Sequence, residues 1–377
     1  RKGGKRPPSW KWTWDVSRSN CHVWIGDVNA GLHLKLKHVT PRWDLFNLKE
    51  SGLYRDWGND GKGGCTIDED GGRVVLRAFT GPRKAAAAQA LHFNFGLLVT
   101  PIKTLDKAHW DWRYFHRSHA APLGEIVPTG AKVVNLHQGD AYNPHINYPF
   151  LSDDKLKPYI DAAHAAGMKV KLYYTIRELS NYAAEFFALR SLGGEVFMQG
   201  EGFKLADQFA DKPADEMVKA GARPRTGSSW LCEHAVTDYV PAWHQPLGNA
   251  RYDAAVATTG LSRWHNYYLQ GLDYLVRRLG VDGLYLDGIG YDREIMKRVR
   301  KVMQRARPGC LIDFHSGNSF SSTYGLNNVA SLYMELFPYL DSLWFGEGFN
   351  YNESPDYWLV EMAGIPYGMF SEMLGAG

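Results

Sequence analysis

Two acidic residues, Asp287 and Glu347, are the strongest candidates for chemistry in this chain of 377 residues. Asp287 ends the apolar segment Gly-Leu-Tyr-Leu-Asp at 283–287, and Glu347 lies among aromatic residues in Trp-Phe-Gly-Glu-Gly-Phe at 344–349. Two carboxylates can hydrolyse a glycosidic bond: one attacks the anomeric carbon or holds a water molecule, and the other protonates the leaving oxygen. The apolar neighbours of Glu347 would favour its protonated form. We therefore predict Asp287 as the nucleophile and Glu347 as the acid/base.

Further polar and aromatic residues follow the other apolar segments. Because the carboxyl ends of parallel strands meet at one rim of a barrel, we expect these side chains to surround the same site. The predicted substrate-binding residues are His137, Asp140, Tyr174, Arg177, Trp230, Glu233, Arg293, Asp313, His315, Asn318, Trp344 and Glu372.

Several of these residues have alternative roles. Arg293 or His315 could keep Asp287 ionised, whereas Asp287 itself could only cap the loop that follows it. Glu347 could pair with a nearby Arg or Lys. Asp313 and His315 could form an internal hydrogen-bonded pair that shapes the pocket without reacting.

A metal-dependent reaction is a second alternative. A cation could be held by His137, Asp140, His234, Asp287 and His315. Barrel metallohydrolases usually carry His-x-His after their first strand, whereas this chain has His-Gln-Gly at 137–139. We therefore expect neither a metal nor another cofactor.

The elements that must position these residues alternate between strand and helix from residue 131 onward. Apolar strands are predicted at 132–136, 168–174, 230–232, 283–286, 310–314, 342–345 and 365–370. Helices are predicted at 153–166, 182–192, 263–279 and 292–305. No Gly-x-Gly-x-x-Gly turn follows the first strand, so a doubly wound sheet is less suitable than a (β/α)₈ TIM-type barrel. The eighth strand of that barrel would lie beyond Gly377.

The first part of the chain has a different pattern. Short segments with alternating polarity, separated by Gly, Asp and Asn, predict an antiparallel β-sandwich at 1–103 that is incomplete at its start. A Trp-rich connector at 104–130 would lead into the barrel at 131–377.

Composition narrows the range of partners. A formal charge of +3 gives no reason to expect nucleic-acid binding. The chain contains no run of 18 apolar residues, so no membrane span is predicted. The 14% aromatic content is expected where sugar rings stack on flat side chains, and it is equally expected in a large aromatic core. We expect a secreted or periplasmic protein in which Cys21 and Cys65 could pair, and the oligomeric state is left open.

The segments 280–288, 311–318, 339–349 and 364–368 resemble bacterial glycoside-hydrolase-like proteins that carry the domain of glycoside hydrolase family 123. The resemblance covers most of the chain from about 90 to 377, and it implies a β-sandwich followed by a barrel. Family 123 is known for β-N-acetylgalactosaminidases, in which the acetamido group of the substrate attacks with help from an adjacent Asp-Glu or Asn-Glu pair. In this chain the only local candidate for that pair is Asn352-Glu353, which lies in a loop after Glu347.

The placement of Asp287 and Glu347 after the fourth and sixth strands is instead similar to that in retaining α-galactosidase-type barrels. We therefore predict a retaining glycoside hydrolase acting on galactose or N-acetylgalactosamine residues of a complex glycan. A substrate-assisted N-acetylhexosaminidase and a non-catalytic carbohydrate-binding barrel are the alternatives.

Overall fold

The structure, a computed structural model, describes residues 9–14, 21–27, 29–36, 55–117, 120–199, 239, 241–248, 251–259, 262–287, 293–315, 334–345 and 365–373. The chain divides into two compact units. Unit 1 comprises Arg1–His109 and Asp313–Gly377, and unit 2 comprises Trp110–Ile312.

The strands of the described residues are numbered in chain order. They are β1 (Ser9–Thr13), β2 (His22–Gly26), β3 (Gly31–Leu36), β4 (Gly64–Asp70), β5 (Arg73–Phe79), β6 (Phe95–Thr100), β7 (Tyr114–Arg117), β8 (Val133–Leu136), β9 (Lys169–Tyr173), β10 (Glu178–Ser180), β11 (Pro241–Gly248), β12 (Arg251–Ala257), β13 (Gly283–Asp287), β14 (Leu311–His315), β15 (Ser342–Phe345) and β16 (Phe370–Met373). The α-helices are α1 (Arg55–Gly58), α2 (Leu123–Ile126), α3 (Asp153–Ala165), α4 (Phe186–Arg190), α5 (Trp264–Tyr274) and α6 (Arg293–Ala306).

Unit 1 begins with two antiparallel sheets of three strands each, in the orders β1-β4-β5 and β2-β3-β6. Side chains of both sheets share one hydrophobic core, which includes Val23 and Leu34 from one sheet and Cys65 and Ile67 from the other. This shared core favours the β-sandwich arrangement, which stays a prediction. Cys21 and Cys65 both lie in the core as free thiols, so the suggested disulfide is not present.

Unit 1 also contains parallel strands. Strand β15 pairs in parallel with β14 and with β16, in the registers His315↔Trp344 and Trp344↔Glu372. The boundary between the two units falls inside β14. The last predicted strand, 365–370, is shifted: Ile365–Tyr367 forms a 3₁₀ turn, and β16 follows it.

Unit 2 is built on parallel strands in the order β7, β8, β9 and β13. Strand β13 is buried along its first four residues, as an apolar strand between two layers must be. Helices α3 and α6 have the apolar face that packing on such a sheet requires; in α3 it consists of Leu156, Tyr159, Ile160 and Ala163. Gly167 and Gly280 follow the preceding helical segments with positive φ, which ends each helix before the next strand.

Two differences from the predicted strand order offset each other. The predicted connector contains β7, which pairs in parallel with β8 and precedes the predicted first strand. The predicted strand at 230–232 lies outside the described residues, and β9 pairs directly with β13. In the described part of the chain, Asp287 therefore still ends the fourth parallel strand.

An insertion between β9 and β13 forms a small antiparallel sheet in the order β10-β12-β11. The sequence analysis predicted no antiparallel sheet here. Strand β10 starts at Glu178, directly after Arg177, so this sheet supports the loop that follows β9.

Candidate active site

Asp287 lies at the carboxyl end of β13, where it meets two residues that follow or end β9. The Tyr173 hydroxyl donates a hydrogen bond to Asp287 Oδ2 over 3.3 Å, and Arg177 Nη2 lies 3.6 Å from the same oxygen. Arg177 Nη2 also donates to the Tyr173 hydroxyl over 3.3 Å. The Asp287 side chain is 34% exposed, so part of it can be reached from solvent.

The charge states of these partners follow from burial and proximity. Burial, and then the negative charge of Asp287, raise the pKa of Tyr173 well above its usual value, so its hydroxyl stays protonated and donates. Burial works to lower the pKa of Arg177, but Glu178, Tyr173 and Asp287 together outweigh burial and raise it. Asp287 therefore faces a permanent cation and a permanent hydrogen-bond donor, and both stabilise its negative charge.

Glu178 is a second carboxylate that contacts Arg177. Its side chain is buried, and its Oε1 lies 3.5 Å from Arg177 Nε. The position of Glu178 is fixed by the pairing of β10 with β12, in which it lies opposite Ala257. Its backbone carbonyl also accepts a hydrogen bond from the Asn147 amide. We refer to Asp287, Tyr173, Arg177 and Glu178 as the Asp287 cluster.

A layer of four rings, the ring cluster, adjoins Asp287 inside unit 2. It consists of His116 on β7, His137 after β8, Tyr173 on β9 and Tyr285 on β13. The His137 ring centroid lies 4.9 Å from that of Tyr173, and the His116 centroid lies 4.9 Å from that of Tyr285. Both histidines are partly exposed, and their Nδ1 atoms are held within the fold: that of His116 by the Asn135 amide and that of His137 by the Gln138 carbonyl.

The ring cluster rests on a second layer of side chains. Lys171 is fully buried, and its Nζ lies 4.3 Å from the centre of the Tyr114 ring. Gly283 provides space for this lysine, since a Cβ at that position would lie 2.8 Å from Lys171 Cγ. Successive layers of inward-facing side chains are the usual filling of a barrel interior.

Two of the predicted substrate-binding residues have the contacts of structural residues. Asp140 is buried, and its Oδ1 accepts hydrogen bonds from the backbone N–H groups of Tyr142 and Asn143, both over 2.7 Å. Tyr174 points away from Asp287: its ring stacks on that of Tyr268 at 4.5 Å, and its hydroxyl donates to the Tyr268 carbonyl. Asp140 closes the turn after β8, and Tyr174 joins β9 to α5.

The predicted residues of unit 1 are described separately. Asp313 is buried and accepts hydrogen bonds from the Ser342 hydroxyl over 2.7 Å and from Trp344 Nε1 over 3.1 Å. These bonds connect β14 to β15 and turn the Trp344 indole N–H toward Asp313 rather than toward a ligand. His315 ends β14 and is 8% exposed.

Other predicted residues are not brought to Asp287 by what the structure describes. Glu347, Trp230, Glu233 and Asn318 lie outside the described residues, and the Glu372 side chain is not described although its backbone belongs to β16. Arg293 starts α6, with its side chain 52% exposed and 3.6 Å from Glu294. The cation beside Asp287 is Arg177, not Arg293.

Sequence reasoning missed His116, Tyr173 and Tyr285. A signal existed for Tyr285, because it is two residues before Asp287 on a strand and must share its face. The same alternation would have selected Tyr173 over Tyr174 once β9 was paired with β13, since Tyr173 lies opposite Tyr285. His116 could not be found without recognising β7.

No cation site emerges from the described residues. Among them, no group of three or more His, Cys, Asp and Glu side chains could hold a metal ion.

None of the described helices is long and apolar enough to cross a membrane.

Family models identify the chain. The model described as the glycoside hydrolase 123 TIM-barrel domain matches residues 106–377, and the model described as the glycoside hydrolase 123 third domain matches residues 1–101. The chain belongs to glycoside hydrolase family 123. This confirms the predicted family and the predicted TIM-barrel fold. A search among curated proteins found no match.

Solved structures that resemble this family 123 chain include two α-amylases and a cyclomaltodextrinase. An α-amylase from Geobacillus thermoleovorans complexed with acarbose is 12% identical, with a TM-score of 0.36 over 59% of this chain and 43% of that one. A cyclomaltodextrinase is 12% identical, with a TM-score of 0.38 over 74% and 50%. The maltogenic α-amylase AmyB from Thermotoga neapolitana is 12% identical, with a TM-score of 0.38 over 66% and 51%. The chain spans about half the length of these proteins, and likenesses this distant say nothing about substrate.

Proposed function

We propose that this chain is a glycoside hydrolase and that Asp287 reacts at the anomeric centre of its substrate. The observation that carries the proposal is the Asp287 cluster: a partly exposed carboxylate at a strand end, held by Tyr173 and Arg177. Membership in glycoside hydrolase family 123 supports the same reaction class. A carbohydrate is therefore the proposed substrate.

The partners of Asp287 favour one of the two roles that a carboxyl group has in this reaction. A proton donor must be protonated before it reacts, which a neighbouring guanidinium disfavours. A nucleophile must be ionised, and Arg177 and Tyr173 stabilise that form. Asp287 is therefore better suited to attack, or to orient an attacking group, than to protonate the leaving oxygen.

The full mechanism proposed is a retaining one with Glu347 as acid/base. Asp287 Oδ would attack the anomeric carbon while Glu347 gives its proton to the leaving oxygen, which forms a glycosyl ester on Asp287. Glu347 would then remove a proton from the water that cleaves this ester. The reaction requires the two carboxyl groups to lie about 5–5.5 Å apart.

A galactose or N-acetylgalactosamine residue is the proposed sugar, in line with the family resemblance. If the sugar carries a 2-acetamido group, the carbonyl oxygen of that group can attack instead, and Asp287 would orient it. The two mechanisms differ in one measurable respect: only the first forms a covalent bond to Asp287 and accepts a 2-hydroxy sugar.

The experiment is a screen of aryl α- and β-galactosides and N-acetyl-β-galactosaminides, with the anomer of the first product read by NMR. Asp287→Asn and Glu347→Gln should each lower kcat by roughly 10⁴-fold while the fold is kept. Asp154→Asn, which changes an exposed carboxylate in the first turn of α3, is the matched control. Hydrolysis by Asp287→Asn at the rate of the control would refute the assignment. Absence of hydrolysis by the unmodified protein, together with saturable sugar binding, would favour a non-catalytic carbohydrate-binding barrel.

Export to the periplasm or the cell exterior is part of the proposal, because a polymeric glycan does not enter the cytoplasm readily. Fractionation of cells that produce the natural protein would test it, and recovery only in the cytoplasm would contradict it.

A further inference from the structure

The positive charge of the chain is concentrated on one helix. Residues 293–307 contain seven of the chain's 43 Lys and Arg residues. They contain one of its 40 Asp and Glu residues, Glu294. The net charge of this segment is +6, and that of the whole chain is +3, so the remaining residues together carry −3. The small total charge therefore conceals a strongly basic element.

The cations of this segment differ in what their side chains contact. Its apolar side chains Ile295, Met296, Val299 and Met303 are buried. Two cations contact other parts of the fold: Arg300 on α6 donates to the Cys310 carbonyl, and Arg307, directly after the helix, has its Nε 2.7 Å from Asp282 Oδ1. The other cations lie on the outer side.

Three exposed cations form a continuous row, which we call the basic stripe: Arg298, Lys301 and Arg305. Their spacing of three and four residues places them on one face of the helix, over about 10 Å. Arg298 donates to the Asn266 amide oxygen, a neutral partner. Among the described residues, no acidic side chain forms an ion pair with any of the three.

The helix also begins near the carboxylate assigned to catalysis. Only five residues separate Asp287, at the carboxyl end of β13, from Arg293, the first residue of α6. A helix that follows a parallel strand starts at that strand's carboxyl end and runs back along the sheet. The basic stripe therefore leads away from the rim that carries Asp287.

We propose that the basic stripe binds an anionic glycan chain, so that the substrate is a polymer bearing sulfate esters or uronate carboxylates. This rests on the proposed function. The polymer would place one residue at Asp287 while sulfate or carboxylate groups farther along it contact the stripe. Arginine forks and lysine ammonium groups suit both kinds of anion.

The other polyanions that basic helices bind fit this surface less well. A helix that lies on a lipid surface inserts large apolar side chains, whereas the apolar side chains of α6 are buried in unit 2. Single-stranded nucleic acid is usually held by aromatic stacking in addition to cations, and residues 293–307 contain no Phe, Trp or Tyr.

The test compares two triple variants that remove the same number of exposed cations from unit 2. The stripe variant is Arg298→Gln, Lys301→Gln and Arg305→Gln, and the control variant is Arg113→Gln, Lys132→Gln and Lys155→Gln. Binding is measured by affinity electrophoresis against dextran sulfate, polygalacturonate and neutral dextran, at low and high salt. Hydrolysis of a small neutral aryl glycoside is measured in parallel, because it depends on the catalytic site alone.

We expect the unmodified protein and the control variant to bind at least one of the two anionic polymers, and to bind it less at high salt. The stripe variant should bind it about ten- to a hundredfold more weakly, with unchanged hydrolysis of the small glycoside. The preferred polymer tells whether sulfate or carboxylate is recognised.

Equal binding by the stripe variant, or equally tight binding of neutral dextran, would overturn the proposal. Binding to anionic phospholipid vesicles is measured by co-sedimentation and binding to DNA by gel shift; a stripe variant that lost binding only to one of these would also overturn the proposal. If no variant hydrolyses a glycoside but the stripe still binds the anionic polymer, the proposed function fails and the binding site stands.

Discussion

Replacement of Arg177 by methionine would separate the contribution of this residue to stability from its contribution to activity. Its guanidinium lies between two carboxylates, 3.5 Å from Glu178 Oε1 and 3.6 Å from Asp287 Oδ2. Methionine keeps much of the side-chain volume and removes the charge. Glu178, with a side chain only 2% exposed, would lose its cation without gaining access to water.

The loss of stability can be estimated from this geometry. Removing one partner of a buried ion pair costs about 3–5 kcal/mol. Both distances exceed 3.4 Å and Asp287 is one-third exposed, so we expect the low end or below, about 2–3 kcal/mol. For a unit of this size, that corresponds to a fall in Tm of roughly 5–10 °C.

The loss of activity has a different cause. Without Arg177, Asp287 loses the cation beside its Oδ2, and its carboxylate takes up a proton more readily. We expect kcat/KM to fall by roughly 10²-fold, the usual effect of removing one charge-stabilising group from an active site. The acid limb of the pH profile of kcat/KM should move to higher pH.

A second variant tests whether these effects are independent. Arg177→Met combined with Glu178→Met removes both charges of the buried pair and should recover most of the lost stability. It should not recover activity, because Asp287 still lacks its cation. The assays are urea unfolding and kcat/KM between pH 4 and 8 on an aryl glycoside found in the screen.

The reasoning would be refuted if the double variant regained both stability and activity. Arg177 would then act only by keeping the fold intact. It would also fail if Arg177→Met lost activity with no movement of the acid limb, because the charge of Arg177 would then not act on Asp287.

Three further predictions use the same assays. Tyr173→Phe should lower kcat/KM about tenfold, whereas Tyr174→Phe should cost about 1 kcal/mol of stability and leave activity unchanged; equal activities would contradict the assignment. Asp282→Asn should cost about 2 kcal/mol of stability with kcat unchanged, and a large fall in kcat would contradict a structural role. Burial raises the pKa of Asp253 from 3.8 to about 6. The folded state then holds a proton that the unfolded state releases, so stability should fall by about 2–3 kcal/mol as pH rises from about 4 to about 6. Asp253→Asn should flatten this fall in urea unfolding at several pH values, and an unchanged slope would show that another group causes it.

The sequence predicted those elements whose signals are local. Helix α3 has acidic residues in its first turn, an apolar face and Gly167 as a stop, and its observed bounds are close to the predicted ones. Strand β13 is a short apolar run after Gly280, and its final carboxylate was found for the same reason. Such patterns depend on a few neighbouring residues and need no knowledge of the partner strands.

The partners of Asp287 required that knowledge. Arg293 is close to Asp287 in sequence and was therefore suggested, with His315 as the alternative, as the residue that could keep it ionised. Tyr173 precedes Asp287 by 114 residues, yet the pairing of β9 with β13 brings it and Arg177 into contact. Pairing between distant strands is set by packing of the whole sheet, which one sequence does not display.

Strand β7 was missed for a different reason. Its four residues, Tyr-Phe-His-Arg, are half-buried or exposed, so they form no apolar run. It becomes a strand because it lies at one side of β8 and completes the hydrogen bonding of that neighbour. Because β7 was missed, His116 was missed as well, and it is one of the four rings of the ring cluster.

Asp282 and Asp287 show that position on a strand, not residue type, decides what an aspartate does here. Asp282 precedes the first residue of β13, and its buried carboxylate accepts from the Val170 backbone N–H while pairing with His164 and Arg307. All of those partners belong to the fold, and no side of the carboxylate is left for a ligand. Asp287 ends the same strand, where Tyr173 and Arg177 contact its Oδ2 while the side chain stays 34% exposed. The strands of a barrel run from the end that supports the fold to the rim that carries the active site. An aspartate at the first end therefore stabilises the fold, whereas an aspartate at the second end can react.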